Sequence, residues 1–401
     1  MLRNAIGAAV AALVLAVAAG RHGVAALGPD PSDYNVQWLS VTPEPGTNEG
    51  GQPTYAGTMP LGNGDLVAQV WANASAGGVQ FFVTKSDALA SDTTPMKMAM
   101  VQVLISPNPF AAGAYFNQTL TLATGAVTAY VGGTSYASYA AAVTVWVDAN
   151  SDAVYVQASG GAAPGFATIG ITVNTMSTRP NDTFTYDLPF SCAGKGTSSP
   201  DVYVDPLPAM WPVAGSLVQY HRNDYTVDGD YFNWTLSQQG LGPLVSTLRS
   251  TSDWWQDRQF GVAVDGYPAL TRTSPSSLTS SSPAATFIVR VTGLSQQTAS
   301  AAMWLGNLAT MLTPLSPSSV SAAWTAHTAW WSSFWFRSHI DVAASAPDGY
   351  NISRAYALTR FVQAVQSRNT LWPIKFNGAS SVRLRHCSSG AIALCGWGRR
   401  R

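Results

Sequence analysis

AVTAYVGGTSYASYAAAVTVWVDANSDAVYVQ, residues 126–157, holds three short runs of β-branched and aromatic residues, Ala126–Val131, Ala141–Val147 and Ala153–Gln157. Gly, Ser, Asn and Asp separate them, the residues that turn a chain. Nothing between the runs has a helical period, so each reads as a strand joined to the next by a turn. The same reading extends outward. Val79–Thr84, Met100–Ser106 and Gln118–Leu122 precede this stretch. Ala167–Val173, Ser216–His221, Tyr231–Ser237, Gln259–Val264 and Thr286–Thr292 follow it. Many short strands without interleaved helices exclude a βαβ fold and predict a mainly β chain, a large antiparallel β-sandwich. Thr271–Pro283, rich in Ser, Thr and Pro, reads as a surface loop within it.

The character changes near Leu294. Leu294–Leu312 has helical spacing, and Ser318 or Ser319 is placed to cap a second helix running through His339. Trp324, Trp331 and Trp335 share one face of that helix, which is expected to pack it onto the sandwich. A third helix is expected over Ile352–Ser367, with Tyr356, Leu358, Phe361, Val362 and Val365 inward. From Ala379 to Arg401 there is no period, and the segment ends in three arginines.

Composition narrows the function. The 401 residues carry 21 Lys and Arg against 21 Asp and Glu, a net charge of zero, and only 10% are charged. A phosphate-neutralising basic face is missing, so a nucleic-acid partner is not expected. Glu44 and Glu49 are the only glutamates. Three cysteines, Cys192, Cys387 and Cys395, give no disulfide framework. The five histidines show no pair at ligand spacing, so neither a metal nor a cofactor is expected. Gly-x-Ser-x-Gly is absent, and Ala193-Gly194-Lys195-Gly196-Thr197 lacks the spacing and preceding strand of a phosphate loop.

The N-terminus begins Met1-Leu2-Arg3 and continues with an apolar run from Ala5 to Ala19. That reads as a secretory signal peptide over residues 1–26, too short for the roughly 20 residues of a membrane span. The expectation is a secreted product with no membrane association after cleavage. Sequons at Asn73, Asn117, Asn181, Asn233 and Asn351 agree with export and are glycosylation candidates.

Three segments are more specific, Met59–Leu66, Phe82–Asp87 and Trp372–Gly378, and they sit in the strings PLGNGDL at 60–66, VQFFVTKSDA at 79–88 and RAYALTRFVQAVQSRNTLWPIKFNG at 354–378. With YHRND at 220–224 and WWSSFWFRSHIDV at 330–342, their order resembles the N-terminal half of glycoside hydrolase family 95-like enzymes. These are six-hairpin glycosidases related to α-L-fucosidases. The resemblance implies a β-supersandwich over 28–293, a helical linker over 294–343, the start of an (α/α)6 barrel over 344–378, and an aberrant Arg-rich tail over 379–401. It implies hydrolysis of an O-glycosidic bond, an α-L-fucoside among the candidates, on an oligosaccharide or polysaccharide. In that family the general acid and base come from barrel helices beyond the position of Gly378. No residue here matches either, so this chain is expected to be inactive by itself. Asn63, Asp65, His221, Arg222 and Asn377 are the candidates for lining a sugar site, since polar groups near aromatics suit a ring with hydroxyls and one apolar face. Two other readings stay open: a non-catalytic carbohydrate-binding sandwich, and a structural cell-surface protein.

Overall fold

A computed structural model describes residues 30–41, 57–89, 91, 95–110, 114–176, 211–225, 230–342 and 347–368, with the backbone of the short strands at 46–47, 53–54, 185–186, 197–198 and 202–204. Residues 1–29, which include the expected signal peptide, the three cysteines, both glutamates, Asn181, Trp372, Phe376, Asn377 and the Arg-rich tail lie outside the described residues.

Strands β1 (Val36–Trp38), β2 (Gly46–Thr47), β3 (Pro53–Thr54), β4 (Met59–Gly62), β5 (Leu66–Asn73), β6 (Gly78–Leu89) and β7 (Pro95–Ser106) come first. β8 (Phe116–Thr121), β9 (Ala126–Val131), β10 (Ala141–Val147), β11 (Ala153–Gly160) and β12 (Gly170–Met176) follow. The last are β13 (Thr185–Tyr186), β14 (Thr197–Ser198), β15 (Val202–Val204), β16 (Leu217–Arg222), β17 (Arg258–Tyr267), β18 (Leu270–Ser274), β19 (Ser277–Ser280) and β20 (Thr286–Gln297). One sheet runs β1-β8-β9-β10-β11-β20-β17-β16-β15, the other β18-β19-β12-β7-β6-β5-β4. Every pairing between these strands is antiparallel, as the turn-separated runs predict.

Period-two alternation builds the core. In β10, Val143, Val145 and Val147 point into the sandwich with Val127, Ala129 and Val131 of β9 and Val154, Val156 and Ala158 of β11. From the second sheet they meet Phe81, Val83, Val101, Val103, Ile171 and Val173. Each such side chain, buried in full, contributes about 1.5–3 kcal/mol before chain entropy is counted.

Helices α1 (Tyr231–Gln238), α2 (Val245–Ser252), α3 (Ala301–Met311), α4 (Pro317–Arg337) and α5 (Pro347–Gln366) complete the described fold. Tyr231–Ser237 is therefore a helix, not a strand. The aromatic and β-branched residues favour a strand locally, but the Asp230 carboxylate accepts from the Asn233 N–H and caps a helix instead. Arg249 then pairs with Asp230 at 2.5 Å. Thr271–Pro283 is likewise no loop: β18 and β19 form an edge hairpin with Leu270 and Leu278 buried and Thr271 and Thr273 exposed. The cap of α4 is Ser316, which accepts from the Ser319 N–H in a reciprocal capping box, with Pro317 in the first turn.

The aromatic stripe of α4 seats it on the sandwich. Trp331 is buried and stacks on Phe361 of α5, with ring centroids 5.2 Å apart, and Trp335 donates from Nε1 to the Leu122 carbonyl at 2.9 Å. In α5 the buried face is Ala357, Phe361, Ala364 and Val365, and Val362 faces out. At about 100° per residue those four fall within one arc of the helix, and Val362 falls outside it.

Candidate functional site

The turn between β4 and β5 is Asn63-Gly64-Asp65. Asn63 makes four hydrogen bonds to backbone. Its Oδ1 accepts from the N–H groups of Asp65 (3.0 Å) and Leu66 (2.7 Å), and its Nδ2 donates to the carbonyls of Asp148 (3.0 Å) and Ser151 (2.9 Å). It therefore ties the β4–β5 turn to the β10–β11 turn of the facing sheet. Gly64 has φ of +87° and donates its N–H to the Val365 carbonyl at 3.0 Å. A Cβ there would lie 2.4 Å from Cγ of Arg368, so glycine lets the end of α5 sit on the turn.

Asp65 faces the interior of a charged cluster. Lys85 of β6 pairs with Asp65, stands 3.2 Å from Asp152 and 3.8 Å from Asp87. Ser86 donates to Asp65 at 2.5 Å, and Arg258 of β17 pairs with Asp87 at 3.0 Å. Burial opposes the Lys85 charge, but Asp152, Asp87 and Asp65 outweigh it and hold the ammonium above the usual lysine range. Burial raises Asp87 and Asp152, against the pull of Lys85 on both and of Arg258 on Asp87. Three carboxylates thus surround two cations. The Lys85 ammonium occupies the space between the carboxylates, where an acid–base pair would need a glycosidic oxygen and a water across about 6.5–9.5 Å. The cluster is built to hold loops in place.

His221 and Arg222 end β16 beside it. The His221 ring lies 4.7 Å from that of Phe260, and its Nε2 is 2.6 Å from Oδ1 of Asn223. Asn223 donates from Nδ2 to the carbonyls of Leu89 (3.0 Å) and Trp255 (2.9 Å), which fixes its Oδ1 as acceptor and His221 Nε2 as donor. Arg222 pairs with Asp257 at 2.5 Å. The Asn223 N–H reaches the Arg258 carbonyl at 2.9 Å. Asn63, Asp65, His221 and Arg222 therefore lie along one continuous polar network at one end of the sandwich, with Arg222 the most exposed of the four.

The network's centre was not among the sequence candidates. Lys85, Asn223 and Arg368 lie inside the quoted segments at 79–88, 220–224 and 354–378 but were not singled out there, and Asp152 and Arg258 lie in none of them. Asp148 makes the local turn contacts expected of a loop aspartate, accepting from the Asn150 N–H at 3.1 Å and from Ser151 Oγ at 2.5 Å. Asp87 does not. Arg368 closes the arrangement, donating to the carbonyls of Ala364 (2.8 Å), Gly62 (3.0 Å) and Ala149 (3.3 Å) with its guanidinium 3.4 Å from the Trp330 ring centroid. Lys97, on β7, is a further buried amine: burial pushes its ammonium down to about 7, over the Phe82 ring at 3.7 Å.

No group of three or more His, Cys, Asp or Glu among the described residues is placed to hold a metal ion. No described helix is long and apolar enough to cross a membrane. Asn233 and Asn351 are exposed on α1 and α5, Asn117 is half-buried on β8, and Asn73 is buried at the β5–β6 turn.

A family model described as a domain of unknown function, DUF5703, in its N-terminal form, matches residues 50–340. No curated protein matches the chain. Among solved structures, one provisionally named a kojibiose phosphorylase, from the human microbiome, aligns with a TM-score of 0.38 at 9% identity over 75% of this chain. This chain spans 36% of that protein's length.

Proposed function

The chain belongs to the DUF5703 N-terminal domain family, and from that premise we propose that it is the sandwich and linker part of a secreted, glycosidase-type carbohydrate-active protein. Its substrate is then an O-glycoside, with an α-L-fucoside the first to test. The observation that carries this reading is the clamp between the Asn63-Gly64-Asp65 turn and the C-terminal end of α5. The sandwich presents a rigid polar end to the helix that follows the linker, as a domain does when it buttresses a helical catalytic unit. The described carboxylates of that end are ion-paired or turn-forming, so the general acid and base are expected from outside the described residues.

The test joins sequence to activity. The transcript is sequenced through the codons after Gly378, and both the 401-residue chain and the product of any longer frame are assayed on 4-nitrophenyl α-L-fucoside and related aryl glycosides. A frame that continues into helical sequence with Asp, Glu and Asn, whose product releases nitrophenol while the 401-residue chain does not, supports the reading. A transcript that stops after Arg401 removes the glycosidase, and turnover by the 401-residue chain itself removes the assignment of the acid and base elsewhere.

A further inference from the structure

The outer face of the nine-stranded sheet is covered in two places. Trp304, Leu305 and Leu308 of α3 pack on Val218, Tyr220 and Ala263 of β16 and β17. Val320 and Trp324 of α4 pack on Ala126, Trp146 and Tyr155 of β9, β10 and β11. Beyond α4 the same strands change chemistry. Outward positions of β9 pass from Ala126 to Thr128 and Tyr130, and those of β10 from Trp146 to Thr144 and Ala142. β1, β8, β9, β10 and the connection 132–140 contain no charged residue.

A tyrosine cluster stands on this open part. Tyr136 meets Tyr130 edge-on with centroids 4.8 Å apart at 69°, and Tyr139 does the same at 5.1 Å and 68°. Tyr136 is 57% exposed. It opens a one-turn helix, Tyr136–Ser138, braced by Ser138 Oγ against the hydroxyls of Thr134 and Ser135, each at 3.0 Å. Ring and loop are thus held before any ligand arrives, which lowers the entropy cost of binding. Asn117, in register with Tyr130, donates to the Tyr115 hydroxyl at 3.2 Å and accepts from Gln37 (3.1 Å) and Thr119 (2.9 Å). Thr128 and Thr144 bond to each other at 3.1 Å.

We propose that this uncharged sheet face, with Tyr136 at its rim, is a binding platform for a neutral polysaccharide. An exposed aromatic ring offers a surface for the apolar face of a sugar, and the aligned amides and hydroxyls offer both donors and acceptors to its hydroxyls. With no cation on these strands, a phosphorylated or acidic glycan would bury its charge without compensation. The platform lies away from the Lys85 network and does not depend on the glycosidase reading.

The test is affinity electrophoresis of the full chain, made in a bacterial host so that Asn117 carries no glycan, in gels containing mixed-linkage β-glucan, xyloglucan, galactomannan or polygalacturonate. Retarded migration in at least one neutral gel and none in polygalacturonate is expected. Tyr136→Ala should weaken it at least tenfold without moving the melting temperature. Gln37→Glu, an exposed substitution that puts a carboxylate on the patch, should weaken it too, and serves if Tyr136→Ala folds poorly. Unretarded migration in every neutral gel, equal retardation in polygalacturonate, or retardation indifferent to both substitutions would overturn the proposal. Retention is read without turnover, so this result and the hydrolysis assay fail independently.

Discussion

His327, fully buried in α4, holds its Nε2 2.6 Å from the Thr124 carbonyl oxygen in the β8–β9 turn. A carbonyl only accepts, so Nε2 carries the proton. The Nδ1 atom accepts from the Ala149 N–H in the β10–β11 turn at 3.1 Å. One neutral imidazole thus ties the linker helix to two turns of the sandwich. It lies between Trp146 and Trp324, with ring centroids 4.8 and 5.3 Å away.

Protonation would put a second hydrogen against the Ala149 N–H. Burial pushes His327 down to about 4, with Arg368 adding to that effect and the Thr124 carbonyl and Asp148 opposing it. The folded value is below the unfolded one, so the unfolded chain binds the extra proton first. The stabilisation is complete above about pH 6.5 and is lost as pH falls towards 4, a loss of about 3 kcal/mol from this group. Denaturant melts at pH 7 and pH 4.5 should show it. His327→Gln should be less stable at pH 7 but lose less on acidification. An acid slope unchanged in that variant would rule the histidine out as its source.

Lys85→Met leaves Asp65, Asp87 and Asp152 crowded around an apolar side chain. Removing one partner of a buried ion pair costs about 3–5 kcal/mol. The pH dependence should then reverse the usual acid sensitivity. Asp87 and Asp152 are already raised in the native protein, and without Lys85 they rise further. The folded variant then binds protons more tightly than its unfolded chain, and regains stability as pH falls from 7 towards 5. Thermal melts of the variant and the unsubstituted protein across that range check the sign, since His327 contributes the same acid loss to both; a variant that loses as much on acidification as the unsubstituted protein would show that the carboxylates do not repel one another.

Gly125 sits in the β8–β9 turn beneath α4 with φ of +58°, and a Cβ there would lie 2.3 Å from Cε2 of Trp331. Trp331 cannot swing away, because Phe361 stacks on its other side. Gly125→Ala therefore combines left-handed strain with overpacking, about 2–4 kcal/mol together. Trp331 fluorescence should shift as the helix lifts. An unchanged melt and spectrum would mean that α4 floats on the turn.

The sandwich was legible because its signal is local: β-branched alternation in Ala141–Val147 and a turn on either side suffice. Tyr231–Ser237 misled because the deciding group, the Asp230 carboxylate, lies one residue outside the run. The polar network was half legible. Asn63 and Asp65 stand out in a Gly-Asn-Gly-Asp turn, and His221 with Arg222 in YHRND. The rest of the network comes from far along the chain: Lys85 pairs with Asp65 from 20 residues away, and Arg368, just past α5, reaches the Gly62 carbonyl from 306 residues away, and no spacing rule joins them. Asn377 falls outside the described residues and stays a sequence candidate.

The sequons can be ranked by what their amides already do. Asn73 is 5% exposed, and its Oδ1 accepts from Ser75 Oγ (2.8 Å) and the Ala76 N–H (2.9 Å), closing the β5–β6 turn. A glycan there would have to break that turn. The amide of Asn117 is already engaged, its Nδ2 donating to the Tyr115 hydroxyl and its Oδ1 accepting from Gln37 and Thr119. Asn233 and Asn351 are exposed on helix surfaces, and a glycan can leave into solvent without displacing a packed group. In a secreting host that adds N-glycans, occupancy is therefore expected at Asn233 and Asn351, low at Asn117 and absent at Asn73. Enzymatic deglycosylation in heavy-oxygen water, followed by peptide mass spectrometry, reads each site separately. Full occupancy at Asn73 in folded protein would mean that its turn tolerates a displaced side chain, and an unglycosylated secreted product would remove the sequons as evidence for export.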